Sequence, residues 1–191
     1  GIAGAAKRGV LFKGGVYLEQ IGGIRTIAFD KTGTLTNGKP EVTDIIPVGI
    51  ENEDELLRLA ASIEARSEHS IANAILSRAG EKGLKLEDGV NFQSVPGKGA
   101  VMEINNSRIY IGNVSFFKEC GFRVGKVDNL LENLRNDGKT TVILGRDKTI
   151  LGIIAVSDQV RNMCGQTIND LYNMGIKKIV MLTGDHKSTA E

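Results

Sequence analysis

The sequence predicts an α/β protein built from a discontinuous Rossmann-like domain, residues 1–40 and 153–191, with an α+β domain inserted over residues 41–152. Two predicted strands, an apolar run over residues 24–29 and a second strand over residues 177–182, each end in a loop of hydroxyl, glycine and carboxylate residues. Buried strands that end in polar loops are typical of open α/β sheets, which hold ligands at that edge. Between the two runs, helical periodicity and short alternating runs predict an antiparallel sheet with flanking helices.

The composition is that of a globular, soluble protein: 191 residues, 41% of them hydrophobic and 25% charged. A net charge of +1 argues against a surface that binds nucleic acid through bulk charge, so we expect no nucleic-acid partner. Cys120 and Cys164 are far apart in the sequence, which favours buried thiols in a reducing compartment. No apolar run reaches the roughly 18 residues of a membrane span, and no signal peptide is recognisable.

The lead-in to the first strand is rich in glycine and alanine and is either flexible or helical. Its Leu18, Ile21 and Ile24 are expected to pack against that strand. After the strand, the Asn-Gly-Lys-Pro sequence of residues 37–40 indicates a turn. A strand over residues 41–48 then takes the chain out of the first domain.

Two helices joined by a short link are predicted next. Asn52 caps a helix over residues 53–66, in which apolar residues recur at the spacing of one buried stripe. A second helix covers residues 71–79 and ends at Gly80. His69 therefore lies in the link, where a histidine by itself is more often a surface or capping residue than a ligand-binding one.

The remaining pattern completes the inserted domain and returns the chain to the first one. A strand, a hairpin and two helices precede a second hairpin, whose last strand leads back. A helix and a final strand follow in the first domain. In order, these elements are predicted over residues 92–95, 101–104, 108–111, 116–120, 127–135, 140–144, 149–156, 163–174 and 177–182.

Asp30 and the residues behind it carry the predicted chemistry. A carboxylate is ionised at neutral pH and acts as a nucleophile without a general base, provided that its repulsion from an anionic phosphate is offset. Lys31 and the donors that follow would offset it, and Gly33 would let the backbone approach a phosphate. Thr32 stands where a carboxylate could act as a general acid/base, so a phosphoaspartate at Asp30 is expected to persist.

The Asp-Lys-Thr-Gly-Thr-Leu-Thr sequence of residues 30–36 resembles the phosphorylation motif of P-type ATPases, whose phosphorylation domain is of haloacid-dehalogenase type. The resemblance implies that Asp30 accepts the γ-phosphate of ATP, and that Asp30 and the backbone carbonyl of Thr32 hold Mg²⁺. The Thr-Gly-Asp of residues 183–185 is similar to a second family motif, whose threonine contacts the phosphate and whose aspartate helps to hold nucleotide and Mg²⁺. The implied catalytic residues are Asp30, Lys31, Thr32, Thr183, Gly184 and Asp185.

A third motif resembles that of the heavy-metal-transporting (P1B) group. The Ser-Glu-His-Ser of residues 67–70 resembles the group's Ser-Glu-His-Pro motif, whose histidine orients ATP in the nucleotide-binding domain. His69 takes that place, and Glu64 matches the family's glutamate on the adenine side. Ser70 departs from the family's proline, but serine can cap a helix through its hydroxyl, so the loop can keep its shape.

Four more nucleotide-binding positions follow from the resemblance. Gly97 and Gly99 resemble the glycine pair that lets the nucleotide approach the backbone, although such a pair alone is most often a turn. Lys98 between them either adds charge near phosphates or is simply solvated. Gly112 and Asn113 match the last motif of the nucleotide-binding domain, with a turn asparagine as the equal alternative.

Asp158 and Arg161 resemble an Asp-x-x-Arg motif at the hinge between the two domains, near the phosphorylation site, and are counted among the cofactor-binding residues, with a capping pair as the alternative. The family has a later lysine and a Gly-Asp-Gly-x-Asn-Asp motif that this sequence lacks. We therefore expect a piece of a longer chain whose phosphorylation domain is truncated and exposes an apolar edge. Such a piece should bind ATP and turn it over weakly or not at all.

The resemblance implies a place on the cytoplasmic face of a membrane, although the chain itself is expected to be soluble. Its implied partners are ATP, a heavy-metal cation carried by an absent transmembrane region, and the actuator and transmembrane domains. The lead-in resembles the segment in which a transmembrane helix leaves the bilayer and enters the phosphorylation domain, and it looks more like that of zinc, cadmium or lead transporters than that of copper transporters. Two alternatives are a soluble phosphatase of haloacid-dehalogenase type, which Thr32 opposes, and a non-catalytic nucleotide-binding module.

Overall fold

The computed structural model describes residues 1–50 and 52–182, and these residues form two compact units. One unit holds residues 1–35 and 160–182, and the other holds residues 36–159. The chain first passes between the units after residue 35, earlier than the predicted boundary after residue 40. It passes back after residue 159, later than the predicted boundary after residue 152. The reason is that two long strands at these crossings stay in the sheet of the second unit over most of their length.

The first unit contains a two-stranded parallel sheet in which Asp30 lies opposite Leu182. The sequence analysis predicted a buried first strand, and this is wrong for the described residues: β1 alternates between exposed and half-buried positions. Ile21 and Ile24 are also 52% and 38% exposed. An apolar run shows that a strand can be buried, but its burial depends on other segments of the chain packing over it. The elements are α1 (Ile2–Ala6), α2 (Gly15–Ile21), β1 (Thr26–Asp30), α7 (Cys164–Asn173) and β8 (Lys178–Leu182).

The second unit is built on a six-stranded sheet with the order β2-β7-β6-β5-β4-β3. The pairs from β3 to β7 are antiparallel, as predicted. Two long strands, β2 and β7, lie at one side and carry the chain to and from the first unit. The strands are β2 (Thr36–Pro47), β3 (Val90–Val95), β4 (Gly99–Ile104), β5 (Ser107–Gly112), β6 (Thr140–Arg146) and β7 (Thr149–Val160).

Helices cover both faces of this sheet, because side chains of successive strand residues enter two different cores. On β6, Val142 and Leu144 join one core with α3 and α4, whereas Ile143 joins a second core with α5 and α6. The alternation is the ordinary consequence of strand geometry. The helices are α3 (Glu53–Glu64), α4 (Ser70–Glu81), α5 (Val114–Glu119) and α6 (Asp128–Asn136).

Local signals account for most element boundaries. Asn52 caps α3 as predicted, since its side chain accepts a hydrogen bond from the backbone N–H of Asp54 at 2.8 Å. Two local predictions were wrong: the predicted turn at residues 37–40 lies within β2, and α4 continues through Gly80 to Glu81. Among the described residues, no helix has the length and apolar character needed to cross a membrane.

Candidate functional site

The link between α3 and α4 holds the ring of His69 in a defined tautomer. His69 precedes α4 as its N-cap, and its Nδ1 accepts a hydrogen bond from the backbone N–H of Ala72 at 3.1 Å. In a neutral ring the proton is then on Nε2, which lies 3.4 Å from Oε2 of Glu64. The His69 side chain nevertheless keeps 56% of its surface exposed. The link therefore presents an oriented imidazole ring to solvent.

Glu64, the last residue of α3, is a buried carboxylate with an unused oxygen. Its side chain is only 4% exposed, and Oε2 has no hydrogen-bond partner among the described residues. Burial raises the pKa of Glu64, while a hydrogen bond from Ser67 and the charge of His69 act in the opposite direction. Buried polar atoms in native proteins are nearly always paired, so an unpaired oxygen beside an exposed ring marks a place for a ligand donor.

Replacing Glu64 with Gln is expected to stabilise the folded protein at neutral pH. The folded state binds the Glu64 proton more tightly than the unfolded state, so the wild type loses stability as pH rises from the ordinary pKa of 4.5 through the higher folded value. Gln removes the ionised form, so it should recover part of the free energy that burying the charged carboxylate costs at neutral pH. Urea unfolding of both proteins at several pH values measures the difference, which should shrink toward acid pH. A difference that is the same at every pH would contradict this account.

The glycines of the predicted nucleotide site are required by the backbone and by packing. Gly97 has a φ of 71°, a left-handed conformation, and nothing lies within 4 Å of the place that a Cβ would take. Gly99 pairs with Gly112 across β4 and β5, and a Cβ on Gly99 would come within 2.3 Å of the Ile111 carbonyl oxygen. Backbone conformation at Gly97 and close packing at Gly99 and Gly112 thus account for glycine at these positions, and no ligand is needed to explain them. They also leave the backbone of the turn uncovered by side chains at Gly97.

Asn113 ties this turn to α5, and the sequence analysis did not foresee that role. Its Oδ1 accepts from the Phe116 N–H at 2.9 Å, which makes Asn113 the N-cap of α5. Its Nδ2 donates to the Gly97 carbonyl at 3.1 Å, and its backbone N–H donates to the Lys98 carbonyl at 2.9 Å. Lys98 itself is ion-paired with Glu119 of α5 at 2.8 Å. The amide of Asn113 therefore acts as a structural link.

Asp158 and Arg161 bind the chain on either side of the place where it passes between the units. Asp158, near the end of β7, accepts hydrogen bonds from the N–H groups of Gly38 at 3.1 Å and Lys39 at 3.2 Å, and from the Thr36 hydroxyl. In the other unit, the side chain of Arg161 donates to the Gly33 carbonyl at 3.2 Å. The two ends of the Asp-x-x-Arg motif thus hold the two strand-to-loop segments in place, each within its own unit.

Asp30 is the last residue of β1, and its side chain is exposed. The turn that follows, residues 31–35, depends on Gly33, whose φ is 78°. The Leu35 carbonyl at the end of this turn accepts from the Cys164 thiol at 3.1 Å. Thr183, Gly184 and Asp185 lie outside the described residues. Within the described residues, no three or more His, Cys, Asp or Glu side chains are arranged to hold a metal ion.

The second unit brings its predicted residues together in two groups, Glu64 with His69 and the glycine turn with Asn113. The described hydrogen bonds do not join the groups, but both border one core, because Ile63, Ala100 and Ile111 pack in the same cluster. A separate cleft of about 390 Å³ lies between the start of β2 and α4 and is lined in part by Ser70, the residue that departs from the family motif.

Comparisons with known proteins agree with this arrangement. A profile of haloacid dehalogenase-like hydrolases matches residues 24–191. The probable cadmium-transporting ATPase of Alkalihalophilus pseudofirmus is 45% identical over 99% of this chain and 27% of its own length. The copper-exporting P-type ATPase of Staphylococcus epidermidis is 41% identical over 100% of this chain and 23% of its own length. The chain thus spans about a quarter of these curated relatives.

Solved structures agree as well. A zinc-transporting PIB-type ATPase in its E2.Pi state superposes with a TM-score of 0.88 and 38% identity, over 99% of this chain and 30% of the other. A catalytic domain of the CPx-ATPase CopB-B superposes with a TM-score of 0.71 and 28% identity, over 97% of this chain and 64% of the other. The predicted fold class and the resemblance to heavy-metal P-type ATPases are both confirmed.

Proposed function

The chain belongs to the haloacid dehalogenase-like hydrolase family, and we propose that it is the ATP-binding and phosphorylation region of a heavy-metal-transporting P-type ATPase, with Asp30 as its nucleophile. The second unit binds MgATP, and the first unit accepts the γ-phosphate on Asp30. The observation that carries the proposal is the unpaired Oε2 of buried Glu64 beside the exposed, oriented ring of His69.

The Glu64–His69 pair suits an adenine. Adenine carries an exocyclic amino group, a donor that would satisfy Oε2 of Glu64. Nδ1 of His69 is occupied by the Ala72 N–H, and Nε2 lies 3.4 Å from Oε2 of Glu64 without forming a hydrogen bond with it. The exposed face of the ring can stack on the base, while Oε2 accepts from the amino group.

The phosphate end of the nucleotide is assigned to the glycine turn. Gly97 has open space where a side chain would stand, so a phosphate can approach its backbone. Gly99 and Gly112 keep the two strands close enough to shape that turn, and Asn113 holds it against α5. We assign Asp158 and Arg161 to the hinge, where their hydrogen bonds hold the segments that cross between the units.

Asp30 then acts as the nucleophile of phosphoryl transfer. One carboxylate oxygen forms a bond to the γ-phosphorus, the bond to the β–γ bridging oxygen breaks, and ADP leaves with that electron pair. Lys31 is assigned to offsetting the phosphoryl charge, and Thr183 and the Gly184 backbone to contacting the phosphate. Asp185 is assigned to helping to hold nucleotide and Mg²⁺. The Asp30 carboxylate and the Thr32 carbonyl are oxygen ligands of the kind that Mg²⁺ prefers, and Mg²⁺ would supply charge stabilisation there.

The longer protein is proposed to move a heavy-metal cation across a membrane, with this region on the cytoplasmic face. Named relatives transport cadmium or export copper, and a solved neighbour transports zinc. Actuator and transmembrane domains would be the partners of this region within the same chain. A cation of the zinc and cadmium kind is the proposed substrate, since the cadmium-transporting relatives are 44–45% identical to this chain and the copper-exporting ones 37–41%.

Nucleotide binding by the 191-residue chain tests the proposal directly. In a titration with MgATP followed by amide NMR, the signals of His69, Gly97, Gly99 and Gly112 should shift together with one dissociation constant. Calorimetry supplies the same constant independently. Movement of other signals at millimolar MgATP while these four remain still would overturn the assigned site.

Replacing His69 with Asn is expected to weaken MgATP binding about 5- to 150-fold, the range of base–aromatic stacking. Asparagine is a good N-cap, so α4 should keep its stability, and the melting temperature should stay near that of the wild type. His69→Ala is the matched comparison: it should weaken binding similarly and also lose about 1 kcal/mol of stability with the cap. If the Asn variant bound MgATP like the wild type, the ring would have no part in recognition.

A further inference from the structure

The glycine turn of residues 97–99 is attached to α5 through a side-chain ion pair as well as through Asn113. Nζ of Lys98 lies 2.8 Å from Oε1 and 2.8 Å from Oε2 of Glu119, in the last turn of α5. The Ser115 hydroxyl donates to Oε1 of Glu119 at 3.2 Å and helps to hold the carboxylate in place. These hydrogen bonds also lower the pKa of Glu119, the one from Lys98 most strongly, so the carboxylate is charged at neutral pH.

The helix on the other side of this ion pair, α5, packs into a buried core. Phe116 and Phe117 of α5 are 4% and 0% exposed and belong to the second core of the unit. The backbone of the turn itself is intrinsically flexible, because Lys98 stands between two glycines, and glycine has the most conformational freedom to lose. A tether from the middle residue of such a turn to a buried helix restricts the backbone on both sides of it.

We propose that Glu119 is a positioning residue for the nucleotide: through Lys98 it holds the glycine turn in the conformation that receives the phosphates. The inference rests on the proposed function, since it assigns the turn the same ligand. The Lys98 ammonium is neutralised by Glu119, so it orders the turn rather than contacting a phosphate. The pair is partly exposed, with side-chain exposures of 42% and 52%, so its contribution is modest and sensitive to salt.

The test is a charge-swap cycle in the 191-residue chain, read by calorimetry with MgATP. Glu119→Gln is compared with Glu132→Gln, which removes the same charge from an exposed position on α6. We expect Glu119→Gln to raise Kd about two- to fivefold over that control, and Lys98→Glu to weaken binding further. Lys98→Glu combined with Glu119→Lys should return Kd to within about twofold of the wild type, and raised salt should reduce the differences.

Two results would overturn the inference. If Lys98 contacts a phosphate directly, freeing it by Glu119→Gln should leave binding unchanged or tighter, and the charge swap should stay weak. If the pair is merely structural, Glu119→Gln should lower the melting temperature and leave Kd unchanged.

A measurement without nucleotide separates this inference from the proposed function. Amide hydrogen exchange at Gly97 and Gly99 should accelerate in Glu119→Gln and recover in the charge swap, because the turn opens more often when the tether is lost. Unchanged exchange would overturn the positioning role even if MgATP binds. A wild-type chain that ignores MgATP would instead overturn the proposed function, whatever the exchange rates are.

Discussion

Replacing Asp30 with Asn is expected to abolish transfer of the γ-phosphate of ATP to the protein, reducing labelling by at least about 10³-fold. The amide has nearly the shape of the carboxylate but has no charged oxygen to form the acyl phosphate. The experiment needs the domains that the chain does not span. They are supplied by a chimera in which this chain replaces the corresponding quarter of the cadmium-transporting ATPase of Staphylococcus aureus. That quarter is 44% identical to this chain.

The label should be stable in acid and removed by hydroxylamine, as expected of an acyl phosphate, and it should be absent from the Asn chimera. Because Asp30 is exposed, the substitution should change the free energy of unfolding by no more than about 0.5 kcal/mol. Equal expression and equal melting temperatures of the two chimeras therefore serve as the control. If label persisted in the Asn chimera, the phosphate would have to be attached to a residue other than Asp30.

Replacing Gly99 with Ala is expected to destabilise the second unit by about 2–4 kcal/mol. The new Cβ would lie 2.3 Å from the Ile111 carbonyl oxygen and 2.8 Å from the Gly112 Cα, both backbone atoms that no rotamer change can move aside. The strand pair β4–β5 would have to separate locally, so MgATP binding should fall along with stability. Urea unfolding and calorimetry measure the two effects.

Gly97→Ala is the matched control for this prediction. It introduces the same methyl group two residues away, where nothing lies within 4 Å. Its cost comes only from the left-handed backbone, about 1–2 kcal/mol, so it should destabilise less than Gly99→Ala. If Gly99→Ala destabilised the protein no more than Gly97→Ala, close packing would not be the reason for glycine at position 99.

The structure agrees with the sequence analysis where a signal is local. Asn52 and the apolar stripe behind it predicted α3 almost to the residue, because capping and helical periodicity operate within a few residues of chain. The β4–β5 hairpin was found in the same way from its alternation and its Asn-Asn-Ser turn. The predicted turn at residues 37–40 lies inside β2, where Gly38 has a left-handed φ of 70° and its N–H donates to the distant Asp158 carboxylate.

By itself, the sequence determined the fold class, the family resemblance and the residues on which the proposed chemistry depends, Asp30, Glu64 and His69 among them. Each of these is encoded within a short stretch, where spacing and residue type act directly on the local backbone. Only the tertiary structure decided that Asn113 caps α5, that Glu119 neutralises Lys98, and where the chain passes between units. Those outcomes depend on strand register and on packing between distant segments, and such contacts are set by the whole fold rather than by neighbours in sequence.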